Sequence, residues 1–293
     1  MKKQKFTVDE NTVQELEAIN SKNENLSNSN LSKANLQNIN LINCDIQNSD
    51  FSKANLENAS LYGANLKGCN LFKVNLKNAN LNNSNLENCN LLGANFENTK
   101  LRNIKWGENY KVVNEIEAET AYKNKDYKLA KEKYREAEDI YRAIKISMQS
   151  QTLGEETGQF FIREMIAKRK QFDKFSGSRI GSKIIEITTG YGEKLGNIAF
   201  TILGIIIACM FLYGIEGVSY QGKTLGFFSD DFSLVSTLGN LFYFSVVVYS
   251  TVGFGEMVPI GPLGKSIMIF EGIIGGLVLA ILIIALYKKS MDR

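Results

Sequence analysis

Residues 250–256 read Ser-Thr-Val-Gly-Phe-Gly-Glu, a run of small or apolar residues with two glycines, set between two long apolar segments. Glycine adopts positive φ at little steric cost. Gly253 and Gly255, alternating with side-chain residues, therefore allow successive carbonyls to point to one side of an extended strand. In lipid, such a strand is tolerable only where protein buries it or where it lines a wet path. The chemistry on offer is coordination: carbonyls lining a narrow path can replace the water around a dehydrated monovalent cation. Other chemistries lack their residues. The chain has no His, which removes His catalysis, His metal sites and His pH switches. Its four cysteines, Cys44, Cys69, Cys89 and Cys209, fit no zinc spacing and no secreted disulfide framework. No nucleophile–base pair or metal cluster stands out, so no enzyme is expected.

The elements that must position this stretch are apolar. Leu195 to Ile215 is long enough to span a bilayer, and Ser266 to Tyr287 gives a second span followed by Lys288-Lys289. Phe232 to Val252 has similar hydropathy but ends in the glycine stretch, so a half-buried helix to about Ser250 is expected, capped by Asp230, Asp231 or Ser233. Its negative dipole end would favour a cation beyond it. Lys and Arg crowd before the first span (Arg163, Lys168, Arg169, Lys170, Lys174, Arg179, Lys183, Lys194), so both flanks are expected to be cytoplasmic. Ile180, Ile184, Ile185 and Ile187 suit a helix lying at the membrane surface, although Gly181, Gly190 and Gly192 weaken it. The run from Phe242 to Pro259 resembles the pore loop of two-helix potassium channels.

That resemblance implies a homotetramer in a lipid bilayer. The carbonyls of Thr251, Val252, Gly253 and Phe254, with the Thr251 hydroxyl, would hold permeant potassium ions, and Gly255 would complete the filter. Glu256 stands where the family usually has Asp. With Asp230 and Asp231 it would make an acidic outer mouth that concentrates cations. Phe254 lacks the hydroxyl of the commoner Tyr, and Phe244 stands where some relatives have Trp, so the hydrogen bond that braces the filter in those relatives cannot form. Gly275 lies twenty residues beyond Gly255, at the family's hinge spacing, with Gly272 and Gly276 beside it. Packing by small residues is the other reading of these glycines. No span carries a row of arginines, so charge-driven voltage sensing is not expected. Only six residues follow Tyr287, so no C-terminal regulatory domain is expected, and MKKQKF at the start has no apolar region behind it to make a signal peptide.

A second pattern fills the first third. From Leu26 to Leu101 an apolar residue recurs every five residues, sixteen times, and two positions before most of these centres sits Ala, Ser or Cys. Ile39 and Val74 are larger exceptions, and the residue between is mostly Asn. On an α-helix a five-residue step turns roughly 140°, so the centres would spiral round every face. On a strand an odd step alternates faces. The period works only if the chain turns a corner every five residues, as in a solenoid. The pattern resembles the pentapeptide-repeat family, which implies a right-handed quadrilateral β-helix with four repeats per coil. Stacked Asn side chains could form ladders along it, and Cys44, Cys69 and Cys89 fall at the small inward position as core filler. Residues 24–101 carry six Lys against six Asp plus Glu, so an acidic surface mimicking DNA is not expected.

Residues 108–172 turn to Glu, Lys, Tyr and Ala at helical spacing. Ala121-Tyr122, Asp126-Tyr127, Ala130, Tyr134 and Ala137 resemble half of a tetratricopeptide unit, with a turn at Asn124 to Asp126 and a break near Leu153-Gly154; a generic helical hairpin is the alternative. The expected fold is a multidomain membrane protein. A cap (1–23, with a helix from Thr7 to Ile19) precedes the β-helix (24–101). An α-helical linker (102–172), a basic interfacial segment (173–194) and an all-α two-span pore domain with a re-entrant pore helix and filter (195–293) follow. The net charge of +3 implies no nucleic acid. No cofactor besides the permeant ion is implied, and no constellation identifies a cytoplasmic ligand or partner. Two other functions stay open: a poorly selective cation channel of the same fold, and a membrane-tethered scaffold with a vestigial pore.

Overall fold

The computed structural model describes residues 4–5, 11–22, 25–151 and 154–291. The chain divides into two compact units, Met1–Lys183 and Ile184–Met291, and the division falls inside one helix.

In the first unit, parallel bridges join residues twenty apart, from Asn30↔Asp50 to Asn85↔Lys105, so each coil takes four pentapeptides. The stack runs four residues past the last apolar centre. The centres are inside: Leu31, Leu36, Leu41, Ile46, Phe51, Leu56, Leu61 and Leu66 are all 0% exposed. Full burial of one such side chain is worth about 1.5–3 kcal/mol. The corner comes two residues after each centre, where Asn38, Asn58, Asn78 and their equivalents have positive φ. Asn is among the few side chains that accept this region readily. The expected ladders form: Asn75 Nδ2 donates to Asn55 Oδ1 at 3.0 Å, and Asn95 Nδ2 donates to Asn75 Oδ1 at 3.1 Å. The same oxygens receive the backbone N–H two residues on, as Lys77 N–H does to Asn75 Oδ1 at 3.2 Å. Cys44, Cys69 and Cys89 are free thiols in the core. Burial pushes Cys44 and Cys69 up to about 12, and Cys89 further still, so none is a nucleophile at neutral pH.

Both ends of the stack are covered. At the start, α1 (Thr12–Ser21) buries Leu16, and Glu17 accepts from the Asn40 N–H at 2.7 Å. The helix expected from Thr7 lies partly at residues 7–10, Val8 among them, which are outside the described residues. A two-residue strand β1 (Gln4–Lys5) pairs in parallel with β2 (Ser29–Asn30). At the far end, α2 (Val113–Lys123), α3 (Tyr127–Gln149) and α4 (Gly154–Lys170) continue the same core. Asp126 caps α3 by accepting from the Leu129 N–H at 3.0 Å. Ser147 Oγ donates to the Phe96 carbonyl at 2.8 Å, and Gln151 receives the Leu101 N–H at 3.2 Å, closing the last coil with side chains. Trp106 meets the Phe160 ring edge-on at 4.9 Å. The expected break between α3 and α4 is present, with Leu153 outside the described residues.

The helix α5 (Gly177–Thr189) carries the chain from the first unit into the second. Despite Gly181 it is continuous, and Ile180, Ile184, Ile185 and Ile187 are each about half exposed. A tight turn at Gly190–Gly192 leads to α6 (Leu195–Glu216), where Asn197 Nδ2 and Thr201 Oγ1 donate to the carbonyls of Ile187 and Thr188 at 3.0 and 2.7 Å. The second unit then holds α7 (Leu234–Tyr249) and α8 (Pro262–Met291), packed on each other and on α6. By length and composition α6 and α8 are each able to cross a membrane, whereas α7 is a shorter apolar helix. Between α6 and α8 lies a small sheet of order β4-β3-β5, formed by β3 (Val218–Tyr220), β4 (Lys223–Leu225) and β5 (Met257–Pro259).

Candidate functional site, a carbonyl strand between a short helix and a small sheet

The five residues Thr251 to Gly255 connect the end of α7 to β5. Ser233 caps the start of α7, accepting from the Ser236 N–H, so of the three expected caps it is the hydroxyl that serves. At the other end the Thr251 and Val252 N–H groups still reach back to Val248 and Val247 carbonyls at 3.0 and 3.2 Å. The chain then leaves the helix with φ of +59° at Thr251, +58° at Gly253 and +79° at Gly255, and without positive φ at Val252 or Phe254. Alternating handedness is the backbone pattern that lets successive carbonyls share a side. Thr251 accepts a region that β-branched residues rarely occupy. The strand is open: all of residues 251–256 are exposed, with Val252 at 55% and Phe254 at 67%.

Contacts hold this strand at its C-terminal end. Met257 and Val258 in β5 pair with Tyr220 and Ser219 in β3. Tyr243 in α7 donates its hydroxyl to Glu256 Oε1 at 2.7 Å. Phe244 does not reach the strand; it is buried, with its ring edge-on to Tyr213 of α6 at 4.8 Å. The side-chain bond found here runs from the neighbouring Tyr243 to Glu256, the residue that follows Gly255. Asp230 is exposed, while Asp231 Oδ2 accepts from the Thr224 N–H at 3.0 Å and from Ser229 Oγ at 3.2 Å, which ties it to the sheet.

A second set of contacts lies behind α7. Glu271 of α8 is fully buried and receives the Tyr213 hydroxyl at 2.7 Å and the hydroxyl of Ser245. Ser245 Oγ also lies 2.9 Å from the Ile206 carbonyl. One carboxylate therefore joins α6, α7 and α8. An ionisable group inside a span is expensive and marks function by default, a signal the sequence carried and which passed unread. Glu216, at the end of α6, receives the backbone N–H groups of Leu263 and Gly264 at the start of α8. Of the three candidate hinge glycines, only Gly275 touches α7: a Cβ there would lie 2.4 Å from the Tyr249 carbonyl oxygen. Gly272 and Gly276 meet nothing within 4 Å.

Comparison with known proteins fits this division of the chain. Stretches covering residues 25–105 match the family described as pentapeptide repeats, and residues 202–289 match the family described as ion channel. Among solved structures, a pentapeptide repeat protein from the cyanobacterium Cyanothece is 46% identical over 28% of this chain and 56% of its own, with a TM-score of 0.28. A pentapeptide repeat protein from Nostoc is 29% identical over 34% of this chain and 79% of its own, with a TM-score of 0.31. A second Nostoc protein, described as involved in heterocyst differentiation regulation, is 24% identical, with 28% of this chain and 38% of its own covered and a TM-score of 0.28. The chain spans less than two thirds of the length of the first two solved structures it matches. No curated protein matches it. Two apolar helices of spanning length overlap the second match, and the chain joins a pentapeptide-repeat domain to an ion-channel domain, a pairing that suits a membrane protein.

Proposed function

We propose that the protein is a homotetrameric, potassium-selective channel that conducts passively through the carbonyls of Thr251, Val252, Gly253 and Phe254. The observation that carries this reading is the alternation of φ along an exposed strand fixed at both ends. Exposed backbone is not tolerated in lipid, so the strand needs other copies around it or a wet path before it. A ring of four strands supplies both. Glu256 and Asp230 belong to the outer mouth, and Asp231 supports it through the sheet. The termini face the cytoplasm, as Lys288 and Lys289 at the end of α8 and the basic residues before α6 favour. The isoleucine face of α5 rests on the membrane surface there.

Opening bends α8 near Gly272, Gly275 and Gly276, and the N-terminal module biases that bend through α5. Lys288 of α8 pairs with Glu193, in the turn after α5, at 2.7 Å, so the inner end of α8 and the linker are in contact. Reconstituted protein tests the proposal: potassium and rubidium pass, sodium hardly does, and barium blocks. Equal sodium and potassium conductance would favour the poorly selective channel instead.

A further inference from the structure

The helical part of the first unit carries a cleft that conduction does not use. Its volume is about 350 Å³, within the range of small-molecule sites. The end of α2, the first turns of α3, the end of α4 and the first turn of α5 form it. Four cations line it, Lys131, Lys170, Lys174 and Arg179, against one carboxylate, Asp173.

Two of the lining groups come from different helices, α3 and α4. Tyr134 is 2% exposed. Lys170 is partly buried. Burial, followed by the neighbouring charges of Arg179 and Arg169, holds the Lys170 ammonium below its usual pKa. An anion entering between Lys170 and Arg179 would relieve their repulsion and compensate the burial of the Lys170 ammonium. Arg179 is already aimed by its bond to the Phe172 carbonyl at 2.9 Å, and its guanidinium can form a fork toward an oxyanion. At the rim, Tyr122 and Tyr127 pack edge to face at 5.3 Å, and Tyr127 is 59% exposed. An exposed ring beside cations is a stacking platform for a planar group.

We propose that this cleft binds an organic phosphate, with the phosphate held by Lys170, Arg179 and the Tyr134 hydroxyl, and any planar base held against Tyr127. The phosphate could arrive on a free nucleotide or on an anionic lipid headgroup, and the cleft chemistry for it is the same. Arg179 lies on α5, so an occupied cleft would fix the first turn of the helix that leads to α6.

Binding is measured on the full chain in detergent, by calorimetric titration with ATP, inorganic phosphate and short-chain phosphatidic acid in separate arms. ATP is expected to bind more tightly than inorganic phosphate. Lys170→Met and Arg179→Met should each weaken it about tenfold or more. Lys128→Met, on α3 outside the lining, should change nothing, and Tyr127→Ala should weaken ATP but not inorganic phosphate. If only phosphatidic acid binds, with the same dependence on Lys170 and Arg179, the headgroup is the source and the site stands. Absence of millimolar binding in all three arms, or binding indifferent to both substitutions, overturns the proposal. Melting curves of each variant establish that it is folded. The titration does not involve ion flow, so its failure would leave the channel reading untouched.

Discussion

Replacing Gly275 with alanine separates two roles that a glycine in α8 can have. The added methyl would stand 2.4 Å from the Tyr249 oxygen and 3.2 Å from both its carbonyl carbon and its Cδ2. The oxygen is backbone, so it cannot swing aside as a side chain would. Restoring even 3.0 Å requires α7 and α8 to part by at least about 0.6 Å, a displacement applied two residues before Thr251. Overpacking of this kind costs roughly 1–3 kcal/mol. Alanine returns up to about 1 kcal/mol of helix propensity over glycine. The net expectation is a loss of roughly 0–2 kcal/mol per chain, together with altered potassium-over-sodium selectivity because the filter is reached through Tyr249. Gly272→Ala and Gly276→Ala meet nothing within 4 Å of the same chain and should keep the propensity gain without the clash. The assay is thermal unfolding of the purified protein in detergent, paired with cation flux in liposomes for all three variants. If Gly275→Ala melts like the parent and selects like it while its open probability falls, Gly275 is a hinge and the packing argument fails. If Gly276→Ala is as damaging as Gly275→Ala, the geometry argued here is wrong.

Three further outcomes are expected. Glu271→Leu leaves the Tyr213 hydroxyl without its acceptor, and Ser245 with the Ile206 carbonyl alone, and should destabilise the pore domain by about 1–3 kcal/mol, whereas Glu271→Gln keeps one acceptor and should lose less; equal melting of the two variants would remove Glu271 as the joint of the three helices. Tyr243→Phe removes the bond to Glu256, and faster loss of current during sustained opening should follow, with single-channel records as the check. Glu115 is buried beneath Tyr141, and desolvation raises its pKa despite the Tyr141 hydroxyl and Arg163, which pull the other way. A carboxyl raised in the fold contributes most below its unfolded pKa, and that contribution is lost as pH climbs through the folded value. The melting temperature of the parent relative to Glu115→Gln should therefore fall as pH rises from about 4.5, and a flat difference would refute it.

The features legible in the sequence are those with a repeat or a length behind them. Sixteen centres at a period of five exclude helix and strand together, which leaves the solenoid, and the ladder at Asn55, Asn75 and Asn95 follows from stacking. Spanning length located α6 and α8, and two glycines located the strand between them. What stayed hidden is held by single residues. The strands β3, β4 and β5 have three residues each, too few to show alternation. Tyr243 and Phe244 are adjacent aromatics on one helix, and only three-dimensional placement says which turns to Glu256 and which to Tyr213. Glu216 follows the first apolar run directly, and only folding brings its carboxylate to the first backbone N–H groups of α8. Tyr134 and Lys170, which line one cleft, come from two helices whose faces meet only after folding. Glu271 is legible in the sequence, as one acid in the apolar run from Ser266 to Tyr287.

Because bridges in the repeat domain always join residues twenty apart, its hydrogen bonds lie along the stack and not across it. A pull that separates the first coil from the last loads those bonds end-on, one layer at a time, whereas strands sheared lengthwise would share the load. The domain should therefore lengthen under tension as a staircase. Each tread releases one coil, which at about 3.5 Å per residue is roughly 70 Å of contour. The α1 cap and the α2–α4 helices set which end yields first, so a tether on either side of the stack would record the strength of its lid before that of the coils themselves.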